Sequence, residues 1–154
     1  MLGLLVLWLA RPTPASFGIG ALLGACGEAI RVWAAGHLEK SREVTTTGPY
    51  RFVRHPLYVG STIMGVGVAV AANSAIVALL VTGYLVVTLT AAIKTEEAHL
   101  TAKFGNKYPD YRNGKLSGGR RFSVARAIRN REYRSLLGFA AVLAVLVWKA
   151  WYSG

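Results

Sequence analysis

Two polar clusters interrupt an otherwise apolar chain, and their residue types suit the binding of a small charged ligand. The first runs Thr45-Thr46-Thr47-Gly48-Pro49-Tyr50-Arg51-Phe52-Val53-Arg54-His55-Pro56-Leu57-Tyr58. Pro49 and Pro56 fix their own φ angles and push Gly48 and His55 away from helix, so this loop is stiff. A stiff loop presenting Arg54, His55 and two tyrosines can hold a ligand, or it can anchor a helix entrance at a membrane surface. The second cluster is Lys94-Thr95-Glu96-Glu97-Ala98-His99-Leu100, followed by Phe104-Gly105-Asn106-Lys107-Tyr108-Pro109-Asp110-Tyr111. On a helix Glu96 and Glu97 point about 100° apart, which predicts that one faces a pocket while the other meets water or an arginine. An amine, such as that of an amino-acid moiety, suits the inward carboxylate. The plainer alternative is a pair of helix-surface charges neutralising Lys94 and its basic neighbours.

The elements that must position these clusters are apolar. The residues AVILMFWYC make up 53% of 154 even before 17 glycines are counted, above the 45–50% that includes glycine in an ordinary soluble domain. Only 16% are charged, which excludes a disordered chain. Apolar stretches run from Leu2 to Ala10, Ala15 to Gly36, Leu57 to Ala72, Ala75 to Ile93 and Ser135 to Trp151. A span needs about 20 residues, with 17 near the lower bound, so the expected fold is all-α: a polytopic transmembrane helical bundle of four or five spans in one integral membrane domain, 1–154. The uncertain fifth is Leu2 to Ala10, read as a retained short helix ended by Arg11-Pro12-Thr13-Pro14 rather than the core of a signal peptide, since no basic segment precedes it. Ala72-Asn73-Ser74 predicts a tight turn between two antiparallel helices. Glu28 and Arg31, near the end of the second stretch, are expected to snorkel to the interface.

Charge then orients the bundle. Of 18 Lys and Arg, 16 fall between Arg31 and Arg54 or between Lys94 and Arg134. The hairpin separates these segments, so both lie on one side of the membrane, the cytoplasmic side by the positive-inside rule. Within the basic segment 115–134, Phe122, Ala125 and Ile128 recur at helical spacing among arginines, as in a helix lying on an anionic bilayer surface; a solvated basic loop is the alternative. The expected partners are membrane lipids and a lipophilic small molecule. Nucleic acid is not among them, because no recognised motif accompanies the net charge of +11. Cys26 is the one cysteine, so internal disulfides and multi-cysteine metal sites are excluded, and it reads as a small core residue. Gly18-Ile19-Gly20-Ala21-Leu22-Leu23-Gly24 imitates a dinucleotide fingerprint but has no preceding strand and Leu23 at the third glycine position. Gly20 and Gly24 read instead as a face for close helix packing.

Taken together, Gly48-Pro49-Tyr50-Arg51-Phe52-Val53-Arg54-His55-Pro56-Leu57-Tyr58-Val59-Gly60, a hydrophobic hairpin, and Glu96-Glu97-Ala98-His99 through Tyr111 resemble the isoprenylcysteine carboxyl methyltransferases and their phospholipid methyltransferase relatives. The resemblance covers about residues 30–111 and includes Arg31 to Leu38. It implies an integral membrane enzyme that binds S-adenosylmethionine between its helix ends and admits a lipophilic acceptor from the bilayer. It further implies that Tyr50, His55, Pro56, Leu57 and Tyr58 form the cofactor motif and that Val44 and Thr45 give backbone contacts. By the same resemblance His37 stands at a polar cofactor contact and Glu96 holds the cofactor near the transferred methyl. Physical chemistry is consistent with these roles: Glu96 suits the ammonium, Arg54 or His55 the carboxylate, and Tyr50 and Tyr58 the adenosine. Glu96 and Arg54 are the residues assigned to the transfer itself, and no metal is needed.

One departure bears on the acceptor. Carboxyl-methylating members of the family resembled carry an arginine one helical turn before the matched glutamate, where this chain has Ala92. The acceptor therefore ranges from an isoprenylcysteine-type carboxylate, held by another arginine, to a lipid amine. Two rival functions are a nicotinamide-dependent membrane reductase with a sterol-reductase-like core and a non-catalytic basic membrane adaptor; a titration with both cofactors separates the three.

Overall fold

A computed structural model describes residues 2–38, 45–105 and 121–152, and every regular element among them is helical. The helices are α1 (Leu2–Leu9), α2 (Pro14–Ala35), α3 (Pro56–Ala72), α4 (Ala75–Phe104), α5 (Val124–Arg129) and α6 (Tyr133–Tyr152), with a 3-10 turn at Gly48–Arg51. Local signals set the boundaries. Thr13 caps α2, its Oγ1 accepting from the Ser16 amide at 3.1 Å while the Ser16 hydroxyl accepts from the Thr13 amide, and Pro14 occupies the first turn. Between α3 and α4, Asn73 takes the left-handed conformation (φ 48°, ψ 46°) and Ser74 caps α4, the tight hairpin expected from Ala72-Asn73-Ser74.

By length and composition α2, α4 and α6 can cross a membrane, while α3 has 17 residues and α1 has 8. At 1.5 Å per residue the 30-residue α4 is about 45 Å long, roughly 15 Å more than the hydrocarbon of a bilayer. Its last turns, from Lys94 onward, therefore project beyond the apolar layer and carry Glu96 and Glu97 with them.

Helix α2 is the centre of the bundle. It packs on α3 backbone to backbone: a Cβ added at Gly27 would lie 2.5 Å from the Met64 amide nitrogen and 2.6 Å from the Gly60 carbonyl oxygen. One added at Gly67 would lie 2.6 Å from the Gly20 carbonyl oxygen. Gly24 receives the Phe139 ring of α6. The small-residue face read from Gly20 and Gly24 is thus extended by Gly27 and matched by Gly60 and Gly67, the close approach by which helices associate without a hydrophobic drive between them. Cys26 points about 100° away from Gly27 and is exposed, not in the core as expected.

A buried apolar cluster of Val6, Ala10, Ala71, Ala72, Val77 and Leu146 closes the end of the bundle that holds Asn73. There the Lys149 ammonium donates to the carbonyls of Leu7 (2.9 Å), Trp8 (3.1 Å) and Ala10 (2.7 Å), capping α1 at its negative dipole end. At the other end α5 sits under the C-terminus of α2. Asn130 Nδ2 donates to the carbonyls of Ala35 (2.9 Å) and Leu38 (2.8 Å), and Arg126 Nη1 to that of Gly36 (2.6 Å). Of the basic segment 115–134, the residues up to 120 lie outside the described ones. The described part is a short cap for α2, with Ala125 and Ile128 exposed and Phe122 against Gly36 and His37.

Candidate functional site

The two polar clusters meet at the end of the bundle away from Asn73. His55 is the residue before α3, held out of the helix at φ −127°, ψ 64° by Pro56. Its imidazole lies between the two glutamates of α4, with Nδ1 3.8 Å from Glu96 Oε2 and Nε2 3.1 Å from Glu97 Oε1. The expectation that one of the adjacent glutamates turns away is therefore corrected. An imidazole carries nitrogens on opposite edges and can bridge two diverging carboxylates. The Glu96 carboxylate raises the His55 pKa above its ordinary value against the opposing effect of burial, with Glu97 adding to the rise. Tyr58 stands on the Glu96 side of this cluster, with its ring 5.7 Å from that of His55.

The preceding loop packs under this cluster. Pro49, Tyr50, Thr45 and Thr47 are buried, and among the described residues Thr47 Oγ1 has no hydrogen-bond partner. Gly48, at φ +59°, lies against the His37 ring, where a Cβ would come within 2.5 Å of Nδ1; only glycine fits both the backbone and the space. His37 itself is buried, with Nδ1 3.1 Å from the Trp33 carbonyl oxygen and its ring 6.0 Å from that of Phe122. It ties the end of α2 to the 3-10 turn, apart from the His55 contacts. Arg54 is exposed, Pro56 is buried and Leu57 is half-buried at the start of α3. Val44, like the Tyr108 part of the second cluster, lies outside the described residues.

The residues present fit an amino-acid-bearing nucleoside cofactor. A pair of carboxylates bridged by one imidazole can release an oxygen to an ammonium. Buried Tyr50 offers ring surface, and the unpartnered Thr47 hydroxyl can complete a hydrogen bond to a polar ligand.

A second ionic group adjoins the first and was not anticipated. Glu28 and Arg31 turn inward instead of snorkelling, because the α5–α6 turn and the first turn of α6 cover that end of α2. Glu28 is 4% exposed and Glu132 7%. Arg31 Nε lies 2.7 Å from Glu132 Oε1 and 3.6 Å from Glu28 Oε2, and Ser135 donates to Glu28 Oε2 at 2.9 Å. Burial raises the Glu132 pKa against the pull of Arg31. Arg31 Nη1 reaches across to Ser61 Oγ and, at 3.5 Å, to the Leu57 carbonyl oxygen, so it stands between this group and the start of α3. The available signal was a Glu and an Arg one turn apart inside an apolar helix, which more often marks a site than an anchor.

Comparison with known proteins covers the elements that carry these residues. The family described as phospholipid methyltransferase matches residues 18–107, from α2 through the glutamates of α4. A protein named Protein-S-isoprenylcysteine O-methyltransferase from Schizosaccharomyces pombe is 34% identical over 92 residues, 60% of this chain and 39% of the relative. A nickel-cobalt-cadmium resistance protein, NccN, from Alcaligenes xylosoxydans xylosoxydans is 34% identical over 83 residues, 53% of this chain and 38% of the relative. The chain spans less than half the length of these curated relatives. No solved structure matches.

Proposed function

The chain belongs to the phospholipid methyltransferase family, and from that premise we propose that it is a membrane methyltransferase that uses S-adenosylmethionine to methylate a lipophilic small molecule drawn from the bilayer. The observation that carries the reading is the junction of His55 with Glu96 and Glu97 beside Tyr58, which joins the two family-matching clusters into one site. In this proposal α3 is a fourth span beside α2, α4 and α6, and α1 a partial fifth. The basic segments put the site on the cytoplasmic side.

When bound, S-adenosylmethionine supplies an electrophilic methyl on a sulfonium whose charge disperses as the acceptor bonds to it. The protein contributes orientation and dryness rather than a nucleophile. Glu96 would receive the cofactor's ammonium and Arg54 its carboxylate. Thr45, Tyr50 and Tyr58 would line the nucleoside, with His37 fixing the loop beneath. Pro56 and Leu57 hold His55 at the mouth of α3, and His55 in turn fixes the two glutamates. Ala92, one turn before Glu96, offers no cation to a carboxylate, so an amine or neutral acceptor is favoured over a prenylcysteine carboxylate.

The test is transfer of a labelled methyl from the cofactor by the purified protein. Label should enter total membrane lipids or lipophilic amines in preference to a prenylated cysteine, and Ala92→Arg should shift it toward the carboxylate. Base-labile methyl esters on the prenylcysteine as the main product of the unmodified protein would refute the acceptor assignment.

A further inference from the structure

An apolar groove of about 570 Å³ opens between α2, α6 and Phe122, which precedes α5; it is lined by Ala25, Glu28, Trp33, Phe122, Leu136 and Phe139 among others. Its volume is that of a small-ligand site. Trp33, Phe122 and Leu136 are each 43–50% exposed at its mouth. Helices α2 and α6 are both long and apolar enough to span, and as spans they would turn this mouth toward the bilayer.

The wall holds one polar side chain that is out of balance. Glu28 is buried, its Oε2 accepts from Ser135, and its Oε1 has no hydrogen-bond partner among the described residues. Glu28 and Glu132 share a single cation, Arg31, among the described residues. Arg31 is also committed to Ser61 and the Leu57 carbonyl of α3. Two buried carboxylates on one guanidinium leave an excess negative charge, which is costly in a dry site until a proton or a cation meets it. An apolar groove with an unsatisfied carboxylate oxygen in its wall is complementary to an amphiphile with a hydrocarbon body and an ammonium head. It is poorly complementary to a carboxylate or a plain hydrocarbon.

We propose that this groove binds a lipophilic amine, its chain along Trp33, Leu136 and Phe139 and its ammonium on Glu28 Oε1. The identification of that amine as the methyl acceptor rests on the function proposed above and requires the ammonium to give a proton to the Glu28 carboxylate, freeing the nitrogen lone pair that takes the methyl; the binding site does not. The head of the bound amine lies beside Arg31, the side chain that connects the groove to the start of α3 and hence to Tyr58 and Glu96.

Quenching of Trp33 fluorescence by ω-bromododecylamine in the purified full chain tests the site, with Trp33→Phe identifying the signal. Saturable quenching is expected. Bromododecanol should bind about tenfold or more weakly, and so should the amine to Glu28→Gln, because each removes one partner of a buried charge pair. Ala25→Leu fills the groove without touching a carboxylate and should weaken amine and alcohol alike. Equal affinity of amine and alcohol for the unmodified protein, or full amine affinity in Glu28→Gln together with no effect of Ala25→Leu, overturns the proposal. Nanodiscs containing phosphatidylethanolamine in place of phosphatidylcholine compete with the probe if the amine is a lipid headgroup and leave quenching unchanged if it is a free amine. Glu28-dependent quenching without S-adenosylhomocysteine binding removes the methyltransferase reading and keeps the site. Cofactor binding without amine preference does the reverse.

Discussion

The two ends of the bundle use charge in opposite ways. At the Asn73 end a single ammonium, Lys149, meets three fixed backbone carbonyls of α1 over an apolar cluster, and every donor it offers is taken. At the other end imidazole, carboxylates and a guanidinium meet one another, and oxygen atoms are left over: Thr47 Oγ1 and Glu28 Oε1 have no hydrogen-bond partner among the described residues. Charge that satisfies fixed dipoles holds helices together. Charge left in surplus and partly open is available to a ligand.

This contrast can be broken by substitution. The largest effect belongs to the seam common to both ends: Gly67→Leu places side-chain atoms against the backbone of Gly20 and Gly24, which cannot move aside. It should cost about 3 kcal/mol or more of stability, read as loss of folded protein in a detergent unfolding assay. Next, Lys149→Met strips the ammonium from the α1 carbonyls and should cost about 2 kcal/mol while cofactor affinity stays unchanged; a matching loss of affinity would show that the two ends are not separate. His55→Gln should do the opposite, lowering cofactor affinity with less than about 1 kcal/mol of stability lost, because its glutamate partners are about a third exposed.

The smallest expected effect is on pH dependence. The folded-state pKa of His55 is raised, so its bond to the glutamates contributes fully below the ordinary value of about 6.5 and is lost as pH rises through the raised value. The thermal midpoint should fall over that window by slightly more in the unmodified protein than in His55→Gln. A Lys149→Met variant should keep the same pH profile as the unmodified protein.

Sequence periodicity and punctuation made the helices legible, because glycine, proline and Asn73 act locally. Gly20 and Gly24 announced a close-packed helix face, and one hairpin between two clusters put both on the same side; the pairing of the loop around His55 with Glu96 was implied by the family resemblance. The rest depended on distant chain. Nothing near Arg31 in sequence indicates that Glu132 closes on it, nor does anything near Lys149 point to the carbonyls of α1. The roles of Glu97 and the inward turn of Glu28 were missed for the same reason: a residue's direction on a helix is decided by what packs over it, here α3 and the α5–α6 turn. Cys26 was misplaced because apolar surroundings in sequence do not distinguish core from lipid face.

Calorimetric titration of S-adenosylhomocysteine into the detergent-solubilised protein and its Glu96→Gln and His55→Ala variants tests the central claim most directly. Saturable binding by the unmodified protein, weakened about tenfold or more in both variants while they remain helical, is the predicted result. Undiminished affinity in both folded variants, or no binding by the unmodified protein, would contradict the assignment of a cofactor site to the junction of α3 and α4.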